Sequence, residues 1–180
     1  MKKIIIGVAA VVIVVLGCLL FLNNNDTTDV QDSGSNVQEN NGEKNMKDVT
    51  VSLSYKGADI TPGKTFNEKS IADTALKSTL PSCAFEGEDN VYTYSNIEIT
   101  ANVSGKTETI YSVYFMDETV ETNEGIKIGD SKAKMIEAYG DNYIDDVSLI
   151  TYVDKNGDKQ INFQIEDDII TGIEYILVLN

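Results

Sequence analysis

The alternation of apolar and polar positions is the clearest signal in this chain, and it is confined to residues 48–180. Val49, Val51, Leu53 and Tyr55 alternate with polar residues, as do Ile97, Ile99, Ala101 and Val103, and later Ile161, Phe163 and Ile165. A period of two puts every second side chain on one face, so these runs predict half-buried strands. Residues 91–95, 109–116, 147–153 and 169–178 read as further strands. Ser104-Gly105-Lys106 and Glu166-Asp167-Asp168 are turns between them, and Asn156-Gly157 is the strongest local hairpin signal.

The period changes to that of a helix in GDSKAKMIEAYG, residues 129–140. Met135, Ile136 and Tyr139 fall on one helical face, Asp130 and Ser131 stand at the N-cap, and Gly140 tolerates the positive φ that ends a helix. A second helix is expected over residues 67–78, with Asn67 as its cap, Ile71, Ala75 and Leu76 on one face, and Pro81 beyond its end. The two halves match weakly. Residues 51–55 and 61–66 align with 110–114 and 122–128, and residues 110–115 align with 170–175 at a spacing of 60.

The fold expected is α+β. A pseudo-duplicated helix-plus-meander would form one antiparallel sheet of about seven strands, with two short helices on one face. Residues 48–122 would be the first repeat unit and residues 123–180 the second. One such unit buries too little apolar surface alone, whereas two sharing a sheet can build a core.

Ahead of this domain, Lys2 and Lys3 precede nineteen apolar residues, 4–22. At about 1.5 Å per residue these reach about 28 Å, close to a bilayer's hydrocarbon thickness. They read as an N-terminal membrane anchor, a signal-anchor with a transmembrane helix, whose two lysines stay inside. Val15-Leu16-Gly17-Cys18 supplies a second reading, a lipoprotein signal with Cys18 as the lipidation candidate, although Leu16 stands where a small residue is usual. Both readings place the domain at the cell membrane, on the extracytoplasmic side. Residues 23–47 are polar and Asn-rich, and read as a disordered linker.

Charge narrows the function classes. The chain carries −15, with no His, no Trp and no Arg. Beyond the apolar run, 12 lysines face 29 acids, a balance of −17. Nucleic acid is excluded as a partner, because binding it needs neutralised phosphates. Without His the chain lacks the usual neutral-pH base and the commonest metal ligand. Lysine as the sole cation and the wealth of Asn and Ile point to an AT-rich bacterial genome. Cys83 is the one cysteine outside the apolar run and reads as a small buried residue.

No constellation reads as catalytic, cofactor-binding or metal-binding. Asp154-Lys155-Asn156-Gly157-Asp158 resembles the start of a Ca²⁺ loop, but Lys159 stands where that loop needs Gly and Ile165 where it needs a carboxylate. Asp145-Asp146 and Glu166-Asp167-Asp168 read as exposed turn residues. The last strand of each half is apolar on both faces. Val113, Phe115, Ile173 and Tyr175 suit a helix-covered side, which leaves Ile110, Tyr114, Met116, Ile176 and Val178 as a candidate protein-binding face.

The sequence also carries a resemblance. Gly-Asp-Ser, a short helix with an apolar pair, Tyr-Gly and three antiparallel strands are similar to the helix-plus-meander unit of outer-membrane assembly lipoproteins of the SmpA/OmlA type. They are similar as well to the tandem repeats of the β-lactamase inhibitory protein. SCAFEG (82–87), VYTY (91–94), IEIT (97–100) and EGIKIGDSKAKMIEAYG (124–140) resemble membrane-tethered secreted proteins of unknown function from clostridia. The inhibitory protein's disulfides have no counterpart here, because Cys83 has no partner cysteine in the domain. The function expected is a non-enzymatic, membrane-tethered binding or scaffold module whose partner is an envelope or secreted protein. The alternative is a proteinaceous inhibitor of a secreted enzyme.

Overall fold

The strictest alternations occupy the middle of a sheet, where a strand pairs along both edges and satisfies its whole backbone. A computed structural model of the chain describes residues 47–179. Strands β1 (Leu53–Tyr55) and β2 (Ala58–Ile60) form a separate hairpin. Eight more strands make one antiparallel sheet: β3 (Leu76–Pro81), β4 (Glu88–Thr93), β5 (Ile97–Ser104), β6 (Thr107–Phe115), β7 (Ile144–Asp146), β8 (Leu149–Val153), β9 (Lys159–Glu166) and β10 (Ile169–Leu177). The one α-helix among the described residues, α1 (Lys132–Tyr139), lies between β6 and β7. The strand order is β3-β4-β5-β6-β10-β9-β8-β7.

Two four-strand meanders therefore meet through their last strands, and the seam has two-fold character. Tyr111 is an extra residue in β6, unmatched in its pairing with β5. Thr171 is the extra residue in β10, 60 positions later (111 to 171), unmatched against β9. The chain just before each helical turn pairs with the start of its own half's last strand, through matching bonds. Gly63 N–H donates to Ile110 O and Gly129 N–H to Ile170 O, both at 2.8 Å. Ile110 N–H donates to Lys64 O and Ile170 N–H to Asp130 O, both at 2.9 Å. These bonds align Gly63 with Gly129.

One face of the sheet holds the core. Ile97, Ile99, Val113, Phe115, Ile161, Phe163, Ile173 and Tyr175 are all inaccessible to solvent there. In the second half α1 covers them. The Ser131 side chain accepts from Lys134 N–H at the start of α1, and Gly140, at φ 88°, ends it. Met135 and Tyr139 are its buried residues, with the Tyr139 ring 5.1 Å from Tyr152 and 5.3 Å from Phe163. Each such side chain contributes about 2 kcal/mol by leaving water. In the first half the same face is covered by the β1–β2 hairpin, whose Tyr55 meets Tyr94, and by Phe66, 4.6 Å from Tyr92.

The expected α+β class with two helices is corrected: the described residues are predominantly sheet, with eight strands in the main sheet, two in the separate hairpin and one α-helix. Residues 67–78 do not form a helix. Asn67 caps only a 3-10 turn, Glu68–Ser70. Asp73 then accepts the Thr74 backbone N–H, with Lys56 and Ser95 on its other oxygen. A short side chain that takes local backbone donors favours turns over helix interiors. From Leu76 the backbone is drawn into β3, and Leu76, expected on a buried helical face, is 80% exposed.

The transmembrane helix and signal-anchor expectation is not supported either. Among the described residues no helix is long and apolar enough to cross a membrane. Residues 4–22, with Cys18, and the linker up to residue 46 lie outside the described residues.

Candidate functional site

Alternation along the strands places a second set of side chains opposite the core. The β1–β2 hairpin packs on the core side through Tyr55 against Tyr94, and α1 does so through Tyr139 against Phe163, both away from this outer face. Pairing registers align the outer side chains in rows. Leu76, Thr93, Glu98, Tyr114, Glu174, Asn162, Thr151 and Ile144 follow one another from β3 across to β7. Ser112 and Ile176 face each other in the neighbouring row.

Tyr114 lies at the middle of the first row, between Glu98 on β5 and Glu174 on β10. Its ring reaches over Gly172: a Cβ at that glycine would stand 3.6 Å from Tyr114 Oη and 3.1 Å from Gln164 Oε1. A glycine inside a strand is thus explained by close approach of a neighbouring side chain. Burial raises the Tyr114 phenol above its ordinary pKa, and the charges of Glu174 and Glu98 add to the rise. Glu174 is half-buried. Burial pushes its carboxyl up to about 7, against a lowering hydrogen bond with Ser112, while the Glu98 charge raises it further.

The sequence-predicted face is only partly assembled. Ile110 belongs to the core, at 3% exposure, because the Tyr111 bulge shifts the alternation by one residue. Tyr114, Met116, Ile176 and Val178 are half-buried. Tyr114 and Ile176 are on the outer face by register, and Met116 and Val178 continue the alternation just past the ends of β6 and β10. Glu98, Glu174 and Gly172 were missed. The available signal was a glycine in mid-strand beside a tyrosine-bearing strand 60 residues away.

The remaining motifs resolve into structural contacts. Lys159 Nζ lies 2.6 Å from Asp158 Oδ1 and 3.6 Å from Asp154 Oδ2, so an ammonium already neutralises the carboxylates of the Ca²⁺-like turn. Asp145 pairs with Lys132 at 3.1 Å. Asp167 and Asp168 form the β9–β10 turn with positive φ. Asp130 lies one residue before the N-cap, Ser131, and accepts from Lys127 N–H and Lys134 Nζ. Cys83 is exposed, in the β3–β4 turn, rather than buried. Among the described residues no group of His, Cys, Asp and Glu side chains is arranged to hold a metal ion.

No family model, no curated protein and no solved structure matches the chain.

Proposed function

We propose that the chain is a non-enzymatic binding module, displayed on the extracytoplasmic side of a cell membrane, that engages a protein through the outer face of its sheet. The observation that carries this reading is the half-buried set Tyr114, Met116, Ile176 and Val178 on the side away from the β1–β2 hairpin and α1. An antiparallel sheet with one solvated face is ordinarily polar on that face, and apolar and aromatic groups there are the composition of an interface centre. Lys2, Lys3 and the apolar run that follows support the location.

The test uses the full-length chain as bait against membrane and secreted fractions. Wild type should retain a stoichiometric protein partner that the Tyr114→Lys chain loses. A photo-crosslinker at Gln160, on the outer face, should capture that same protein, and one at Glu137 on α1 should not. Retention by Tyr114→Lys, or crosslinking from Glu137 alone, would overturn the reading.

A further inference from the structure

The outer face carries charge of one sign. Registers and alternation assign Glu98, Asp146, Glu166 and Glu174 to it, while Asp89 on the same side is buried and accepts from Asn102 Nδ2 at 2.9 Å. The two lysines within the sheet strands, Lys77 and Lys159, belong to the core-side set: Lys77 pairs with Tyr92 and lies 4.8 Å from its ring centroid, and Lys159 pairs with Leu177. At the centre Glu98 and Glu174 flank Tyr114 on adjacent strands, each one strand spacing away, about 4.8 Å. An aromatic ring between two carboxylates attracts a cation through its π-face and through both charges. A second copy of this chain, itself at −15, is repelled from such a surface.

We infer, resting on the binding-module reading, that the outer face docks an extended cationic segment of a partner protein, with one lysine or arginine seated on Tyr114 between Glu98 and Glu174. Met116 and Ile176 provide apolar contact on either side. The groups facing the Glu174 carboxylate are Glu98 from β5, Tyr114 and Ser112 from β6, and the uncharged Asn162 from β9. The bound cation is thus the sole positive charge in this set. It draws a proton off Glu174, so docking tightens as pH rises through neutrality and releases a proton below it.

The probe is an alternating lysine–threonine peptide, with glutamate–threonine as its control, titrated calorimetrically into the full-length chain in micelles. Measurements near pH 8 and near pH 5.5, in buffers of different ionisation enthalpy, report affinity and proton release. The lysine peptide should bind about tenfold more weakly at the lower pH. Glu174→Gln should lower affinity near pH 8 by about tenfold and abolish the proton release, whereas Glu137→Gln on α1 should change neither. Equal binding of both peptides, wild-type behaviour of Glu174→Gln, or an equal loss in Glu137→Gln would overturn the inference. A partner captured through Tyr114 with no binding of the lysine peptide would remove the cation inference alone. Peptide binding with no captured partner would remove the protein-partner reading and leave the cation site.

Discussion

Tyr114 and Glu174 occupy equivalent positions in the two halves, 60 residues apart (114 to 174), and pair directly with each other across β6 and β10. The two-fold relation of the meanders therefore passes between these two residues. Phe115 and Tyr175, the next equivalent pair, meet on the core side with ring centroids 5.4 Å apart. The centre of the outer face and the centre of the core are thus set by one register.

Glu174 links that register to pH. Its folded pKa, near 7, lies above the usual carboxylate value, so the folded state binds the extra proton between these two values. The stability associated with it is full below the unfolded pKa and is lost as pH rises toward 7. Glu174→Gln should therefore raise the melting temperature near pH 8, by about 1–2 kcal/mol of stability, and change it little near pH 4. Thermal unfolding followed by circular dichroism at both pH values checks this.

Gly172 should resist enlargement. Gly172→Val would drive Cγ atoms into Gln164 and the Tyr114 hydroxyl, at a cost of about 1–3 kcal/mol, and would turn the tyrosine ring off the sheet. Denaturant midpoints measure the cost, and Tyr114 fluorescence should change with it.

Tyr139 ties α1 to the sheet. Tyr139→Ala should cost about 3–5 kcal/mol, because the ring packs on Tyr152 and Phe163 and is 3% exposed. Tyr139→Phe should cost about 1 kcal/mol, since the hydroxyl donates to Glu124 at 2.7 Å. The difference between the two variants in urea separates packing from hydrogen bonding.

Lys159 should make the turn between β8 and β9 indifferent to calcium. Millimolar Ca²⁺ should leave the wild-type melting temperature unchanged, while Lys159→Met should destabilise by about 1–2 kcal/mol by leaving the largely buried Asp154 carboxylate without its ammonium. A Ca²⁺-induced rise in the wild-type protein would contradict this account.

Gly129 should be more sensitive to Ala than its exposure suggests. Its φ of +92° is disfavoured for any residue with a Cβ, and its N–H donates to Ile170 O. Gly129→Ala should cost about 1–2 kcal/mol, read as a lowered denaturant midpoint.

The sheet was legible where burial is one-sided. Ile97–Ile99–Ala101 and Ile161–Phe163–Ile165 announce their strands because each has one dry face. β3 is not legible: its edge position leaves Leu76 to Thr79 all exposed, so no alternation marks it, and its first three residues, Leu76 to Ser78, fall within the expected helix. The Tyr111 bulge was invisible for another reason. A bulge is a property of two strands in register, and Ile110 can be assigned to the core only once β5 is laid beside β6. The Glu98–Tyr114–Glu174 row needs three strands in register, two of them from opposite halves, so single-strand periodicity gives no sign of it.

The seam between β6 and β10 has the form of an isologous dimer interface enclosed in a single chain. In a dimer of identical halves, whatever stands on the axis must face its own copy, so a carboxylate there would meet a carboxylate and a tyrosine a tyrosine. Covalent joining removes that constraint. The chain places an aromatic ring on one side and an acid on the other, giving the middle of a nearly symmetric sheet a direction that two separate identical subunits could not encode.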